Sequence, residues 1–142
     1  MKVSEIMTKS VASLNTDDTV ERAAQVMVEH NVGSVPVCSG ENVVGIITDR
    51  DITLRTVAKG ENPRTQIVRE IMSSNPVVID PEMDAHDAAR IMGERQIRRL
   101  PVAQNEKLVG FVSLGDIATD PKLKDDAEGT LSGVSEPCTP VI

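Results

Sequence analysis

Aromatic side chains are almost missing from this chain, which has no tryptophan, no tyrosine and a single phenylalanine, Phe111. Stacking platforms for nucleobases, on which single-strand binders rely, are therefore excluded, and any planar ligand must rest on aliphatic groups. Basic residues are in the minority. Fifteen Lys and Arg against 22 Asp and Glu leave a net charge of −7 over 142 residues, which disfavours nucleic acid, a polyanion that requires a basic surface. That sum still leaves room for a local basic patch. No apolar run approaches the roughly 18 residues of a membrane span, and the N-terminus carries no signal-peptide core. The expectation is a cytoplasmic protein without a membrane partner.

Cysteine is scarce as well, with Cys38 in an apolar, strand-like run and Cys138 between prolines near the C-terminus. Two cysteines make no disulfide framework, so they read as one buried thiol and one free thiol. Catalytic signatures are also missing. There is no Gly-x-x-x-x-Gly-Lys phosphate loop, no His-Glu-x-x-His and no dinucleotide fingerprint. His30 and His86 fall on or at the end of predicted helices, and no Cys and His cluster has zinc spacing. The sequence assigns no catalytic residue, no metal ligand and no required cofactor.

What the chain does have is an internal duplication. Residues 3–52 align with 68–117 at a constant offset of 65 without a gap. Identical pairs include Ile6 and Ile71, Met7 and Met72, Ala23 and Ala88, Ala24 and Ala89, Met27 and Met92, Pro36 and Pro101, Gly45 and Gly110, and Asp51 and Asp116. About fifteen positions in fifty agree, against roughly three expected by chance. The boundaries read as a first unit over residues 1–60, a linker over 61–67, a second unit over 68–121 and a C-terminal tail over 122–142. A chain of this length holds two small units but not a third domain.

Each unit is predicted as strand, helix, strand, strand, helix, an α/β (α+β) pattern. In the first, Val3–Met7 reads as a short lead-in helix and Val11–Leu14 as a short strand. Thr16 or Asp17 can cap the next helix, in which Val20, Ala23, Ala24, Met27 and Val28 form one apolar stripe. Ala85, Ala88, Ala89 and Met92 repeat it. Val35–Cys38 and Val43–Thr48 read as strands joined by Ser39-Gly40-Glu41-Asn42, with Leu100–Ala103 and Leu108–Ser113 as their counterparts. A further helix starts near Asp49 and runs towards Val57, and its counterpart starts near Leu114 and is cut short by Pro121. The tail is weakly periodic, which leaves open a short helix packed on the body or a mobile segment.

The repeated stretch richest in chemistry is Gly45-Ile46-Ile47-Thr48-Asp49-Arg50-Asp51-Ile52, which returns as Gly110-Phe111-Val112-Ser113-Leu114-Gly115-Asp116-Ile117. In each copy a hydroxyl ends an apolar strand and an aspartate follows three residues later in the first helical turn. The expectation is that both point into one crevice at the carboxyl end of the strand, where a carboxylate can accept hydrogen bonds from a ribose diol and a hydroxyl can meet phosphate. The plainer alternative is that Asp51 and Asp116 are helix N-terminal carboxylates favourable to the dipole.

The length of the repeat, its strand order, the Met-Thr or Met-Ser after the lead-in segment, the Val-Pro-Val or Leu-Pro-Val strand and the Gly-to-Asp-Ile stretch together resemble the CBS domain. A tandem of two resembles a Bateman module of the stand-alone bacterial kind. The resemblance covers about residues 1–120. It implies two units packed about a pseudo-twofold axis, with clefts that bind adenosine-containing ligands such as AMP, ADP, ATP or S-adenosylmethionine. Carried over by position, Asp51 and Asp116 would hold ribose hydroxyls, and Thr48 and Ser113 would meet ribose or phosphate. Val11, Ala12, Pro76 and Val77 would line adenine, and the segments with Gly33, Ser34, Val35 and Pro36, and with Ile97, Arg98, Arg99, Leu100 and Pro101, would supply the remaining walls. Unit two has Arg98-Arg99 where unit one has Gly33-Ser34, and two guanidiniums suit phosphate by bidentate geometry. A solvated surface pair is the alternative for these arginines.

Members of that family commonly dimerise through helix faces and act through an effector. The expected protein is a non-catalytic adenosyl sensor, a homodimer that signals to an effector protein in trans. The competing reading is a ligand-independent dimeric scaffold or stress-response protein with vestigial clefts.

Overall fold

The structure is a computed structural model and describes residues 1–137. Its elements are β1 (Leu14–Asn15), α1 (Val20–His30), β2 (Ser34–Ser39), β3 (Asn42–Thr48), α2 (Asp49–Ile52), β4 (Ser73–Ser74), α3 (Ala85–Arg95), β5 (Arg99–Gln104), β6 (Lys107–Ser113), α4 (Leu114–Ala118) and α5 (Lys124–Ser135). A π turn, Thr53–Val57, carries α2 onward, so the helical stretch predicted from Asp49 to Val57 is present in two geometries. Cys138 lies outside the described residues.

Contacts divide the chain into two compact units that do not coincide with the two sequence repeats. One comprises Ser10–Val77 with Asn105–Leu108, and the other comprises Met1–Lys9, Val78–Gln104 and the described residues from Val109 to 137. We refer to them as the Asp51 unit and the Asp116 unit. The lead-in segments have changed places. The first, Val3–Glu5, is a 3-10 turn rather than the longer helix expected, and it packs on the second repeat. Val3 N–H donates to the Met83 carbonyl at 2.8 Å, and Thr8 and Phe111 exchange main-chain bonds of 2.9 and 3.0 Å. The second, Val68–Glu70, packs on the first repeat, where Val68 N–H donates to the Asp18 carbonyl at 2.8 Å and Ser73 and Ser74 pair with Ile46 and Gly45.

Each exchanged segment is locked by a methionine laid over a glycine. A β-carbon built on Gly45 would fall 2.4 Å from Met72 Sδ, and one on Gly110 would fall 2.5 Å from Met7 Sδ. This explains two of the identities in the repeat as one packing device.

In the Asp51 unit, β1 runs parallel to β2 and β2 antiparallel to β3. The core gathers Leu14, Val20, Ala23, Val26, Met27, Val35, Val37, Ile47, Val68 and Ile71. Two local expectations are corrected. Thr19, not Thr16 or Asp17, caps α1, its hydroxyl accepting from Arg22 N–H at 3.1 Å. Val28 is 82% exposed, and Val26 takes the inward place. The predicted strand over Val11–Leu14 contracts to Leu14–Asn15, leaving Val11 and Ala12 half-buried outside it.

In the Asp116 unit, β5 and β6 are neighbours, Ile79 bridges Val102 in parallel, and Val3, Ala85, Ala88, Ala89, Met92, Leu100, Val102, Val112 and Ile117 are buried. The described part of the tail is a packed helix. α5 lies on α3, where Thr130 donates its hydroxyl to the Ala89 carbonyl at 2.8 Å from a buried position.

Gly45→Ala is expected to destabilise the protein by about 1–3 kcal/mol through overpacking, and Met72→Ala in the same chain to return part of it; denaturant unfolding of both variants checks this. Cys38 is 3% exposed, and burial pushes its thiol above the ordinary range against a smaller lowering by a hydrogen bond with Ser13. Since the thiolate is the reactive form, Cys38 in a Cys138→Ser chain should resist a thiol reagent in the folded state and react on unfolding.

Candidate functional site

The two crevices form where a strand must become a helix within one residue. At the end of β3, Thr48 Oγ1 accepts from Asp51 N–H at 3.1 Å while Asp51 Oδ2 accepts from Thr48 N–H at 2.9 Å. Ser113 and Asp116 make the same reciprocal pair at the end of β6, at 3.1 and 2.8 Å. These are capping boxes, in which each side chain satisfies a main-chain donor that the short helix leaves free. The hydroxyl and aspartate thus bond to each other's main chain at each crevice, and in each carboxylate only Oδ1 takes no part in the box.

A second main-chain bond closes each crevice from the other side. Leu114 N–H donates to the Arg98 carbonyl at 2.8 Å, and Asp49 N–H donates to the Gly33 carbonyl at 3.0 Å. The residue before each strand is thereby fixed beside the start of the helix. In the Asp51 unit, register also places Ser34 opposite Thr48.

In the Asp116 unit the result is a cavity of about 400 Å³ lined by Arg98, Arg99, Ser113, Leu114, Gly115 and Ala118. Both arginines are exposed, and Ser113 is half-buried. Asp116 is not among the lining residues. Ile97 is half-buried beside them, whereas Leu100 and Pro101 are buried, so their side chains are accounted for by packing. Leu114, Gly115 and Ala118 escaped sequence reasoning. Their signal is helical spacing from Ser113, which puts the first turn of α4 along the wall.

The corresponding place in the Asp51 unit has the opposite charge. Gly33 lies against the carboxylate of Asp49, so close that a β-carbon on Gly33 would sit 3.0 Å from Oδ2. Asp49 occupies the position of Leu114 and Gly33 that of Arg98. Ser34, Val35 and Pro36 are buried, Thr48 and Asp51 half-buried, and Val11, Ala12, Pro76 and Val77 half-buried in the same unit. Asp49 was also missed, because adjacency to Thr48 in sequence does not reveal its contact with Gly33.

Among the described residues, no group of three or more His, Cys, Asp or Glu could hold a metal ion. No helix among them is long and apolar enough to cross a membrane.

The sequence pattern described as the CBS domain matches residues 3–56 and 68–120. The CBS domain-containing protein YhcV of Bacillus subtilis is 41% identical over 133 residues, 94% of either chain. Hypoxic response protein 1 of Mycobacterium tuberculosis is 34% identical over 115 residues, 80% of either chain. The crystal structure of Hypoxic Response Protein I with two coordinated zinc ions matches with a TM-score of 0.77 at 34% identity, covering 83% of this chain and 97% of that one. A hexameric CBS-CP12 protein from bloom-forming cyanobacteria matches with a TM-score of 0.77 at 32% identity, over 88% and 73%. CBSX2 in complex with AMP matches with a TM-score of 0.71 at 26% identity, over 82% and 92%.

Proposed function

Because this chain belongs to the CBS-domain family, as a tandem pair on an α+β fold, we propose that it is a non-catalytic regulatory module whose Asp116 unit binds a phosphorylated adenosine ligand. The observation that carries this reading is the cavity of about 400 Å³ whose lining includes Arg98, Arg99 and Ser113. That volume lies within the roughly 300–1,000 Å³ of small-molecule sites. Two guanidiniums and a hydroxyl suit a phosphate, since charge-assisted bonds from a planar fork are both strong and directional. A similar structure carries AMP.

AMP, ADP and ATP are the favoured ligands at this crevice, and S-adenosylmethionine, which lacks phosphate, is disfavoured there. Asp116 contributes through the geometry of the α4 start, with Oδ1 as the atom for a ribose hydroxyl. The Asp51 crevice binds phosphate more weakly, because the Asp49 carboxylate stands beside Gly33 where the other crevice has Arg98. The module is a homodimer and passes its signal to an effector protein in trans.

Titration calorimetry with AMP and with plain adenosine tests the assignment. In an Arg98→Ala, Arg99→Ala variant, AMP affinity is expected to fall at least about tenfold, about 1.4 kcal/mol, while adenosine affinity changes little. Equal losses for both ligands would refute a phosphate role. For the natural chain, AMP at a hundred times its dissociation constant should raise stability by about 2.7 kcal/mol in thermal unfolding. A folded protein that responds to no adenosyl ligand would instead be a scaffold.

A further inference from the structure

Helix α5 is made of poor helix formers. Its twelve residues include Gly129, Thr130, Ser132, Gly133 and Ser135, and Leu123 before them provides no side-chain cap. Such residues resist helix formation, and a helix this short is marginal in water even when built of good ones. The surface it buries is small as well: Ala127 and Thr130 are its buried residues, and Leu131 is 52% exposed. α5 therefore owes its helical form to what it lies on, and its order reports whether it is docked.

What it lies on is α3 and α4, and through them it is tied to both walls of the arginine crevice. One wall is α4, which supplies Leu114, Gly115 and Ala118 to the cavity lining. From Ala118 the chain enters α5 through the turn Pro121–Leu123, in which Leu123 is fully buried. The other wall is the segment that carries Arg98 and Arg99. Two residues before Arg98, Gln96 Nε2 donates to the Gly133 and Glu136 carbonyls at 3.2 Å each, at the end of α5. Gln96 has φ 56°, a left-handed conformation better suited to asparagine, and asparagine stands at the same place in the other repeat, Asn31 with φ 52°. The longer amide is the one that has α5 within reach. Between these ends the backbones of α5 and α3 touch, since a β-carbon on Gly133 would stand 2.7 Å from the Gly93 carbonyl oxygen, and Thr130 bonds the Ala89 carbonyl at 2.8 Å.

We propose that α5 is a releasable strap coupled to the arginine crevice: nucleotide in the crevice favours docked α5, and docked α5 favours nucleotide. This rests on the nucleotide reading above and names the segment that responds to it. Ligand and strap fasten the same two pieces of chain. A phosphate on Arg98 and Arg99 steadies the segment that Gln96 begins, and contacts along Leu114, Gly115 and Ala118 steady α4. With α5 released, Gln96 loses both acceptors and α4, five residues long, loses the helix beside it, so the ligand must order both walls itself. The two states differ by the docking of one segment, an order–disorder switch. Coupling of this kind is reciprocal, so the factor by which AMP suppresses release equals the factor by which release weakens AMP.

Hydrogen exchange of the α5 amides with and without AMP, with AMP calorimetry in parallel, tests this on full-length chains. In the natural chain α5 should exchange faster than α3, and saturating AMP should slow it at least about fivefold. Two glycine substitutions in α5 separate docking from helix propensity. Gly133→Ala adds a β-carbon that strikes Gly93, whereas one on Gly129 meets nothing within 4 Å. Gly133→Ala should therefore speed α5 exchange and weaken AMP, and Gly129→Ala should slow the exchange and leave AMP at least as tight. Gln96→Asn, which keeps a residue suited to the left-handed turn but shortens the amide, should act as Gly133→Ala does and carries the test if that chain does not fold. In neither variant should the loss of AMP affinity exceed the factor by which AMP slows α5 in the natural chain. An α5 as protected as α3 in the free natural chain, an α5 indifferent to bound AMP, release without loss of AMP affinity, or loss of affinity with α5 still protected would each overturn the proposal and leave the nucleotide reading standing. No AMP binding by the natural chain would overturn both.

Discussion

The start of α4 is held by four short contacts: the reciprocal pair of Ser113 with Asp116, the bond from Leu114 N–H to the Arg98 carbonyl, and the bond from Thr119 Oγ1 back to the Gly115 carbonyl. A helix of five residues cannot nucleate alone. It exists because the strand before it is anchored and because its free N–H groups are met by side chains. With that turn fixed, the main chain at Arg98 is fixed as well, and both arginines line the same cavity as Ser113. The aspartate of the motif therefore acts on the backbone, fixing the first turn of α4 against β6.

The same framework can carry different electrostatics because the cap uses only the hydroxyl and the aspartate. The two residues that set the local charge, the one before the strand and the one after the hydroxyl, are free to vary. They are Arg98 and Leu114 in one unit, and Gly33 and Asp49 in the other. Two crevices with one backbone plan thus carry opposite charge, an exposed arginine pair in one and an exposed carboxylate in the other.

Much of this was legible in the residues. The constant offset located both repeats, and alternation bounded by turn residues placed β2, β3, β5 and β6 within a residue or two. The apolar stripe on α3 was buried as expected. On α1 the stripe failed at Val28, because periodicity identifies an apolar face without saying whether this chain or another covers it. Short-range bonding was the harder matter. That Asp116 would turn back to the Ser113 amide, that Thr19 would outcompete Thr16 as a cap, and that Asp49 would lie on Gly33 are outcomes of a few tenths of an ångström in backbone path. The exchange of lead-in segments was invisible for another reason. A repeat aligned to itself shows which residues correspond, but not which copy of a segment packs on which body.

That exchange makes each repeat incomplete by itself. A single repeat carries a lead-in segment whose place is on a different copy, with Met7 meant for a glycine it does not itself fold against and Gly45 awaiting a methionine from elsewhere. One copy alone would leave both unsatisfied, and two separate copies could satisfy them only by trading arms, at a strength set by their concentration. In one polypeptide the trade is intramolecular, with the effective concentration of a short tether in place of a chance encounter. The Met and Gly pair, present in each half and completed by the other, makes the packing of each half depend on the presence of its partner.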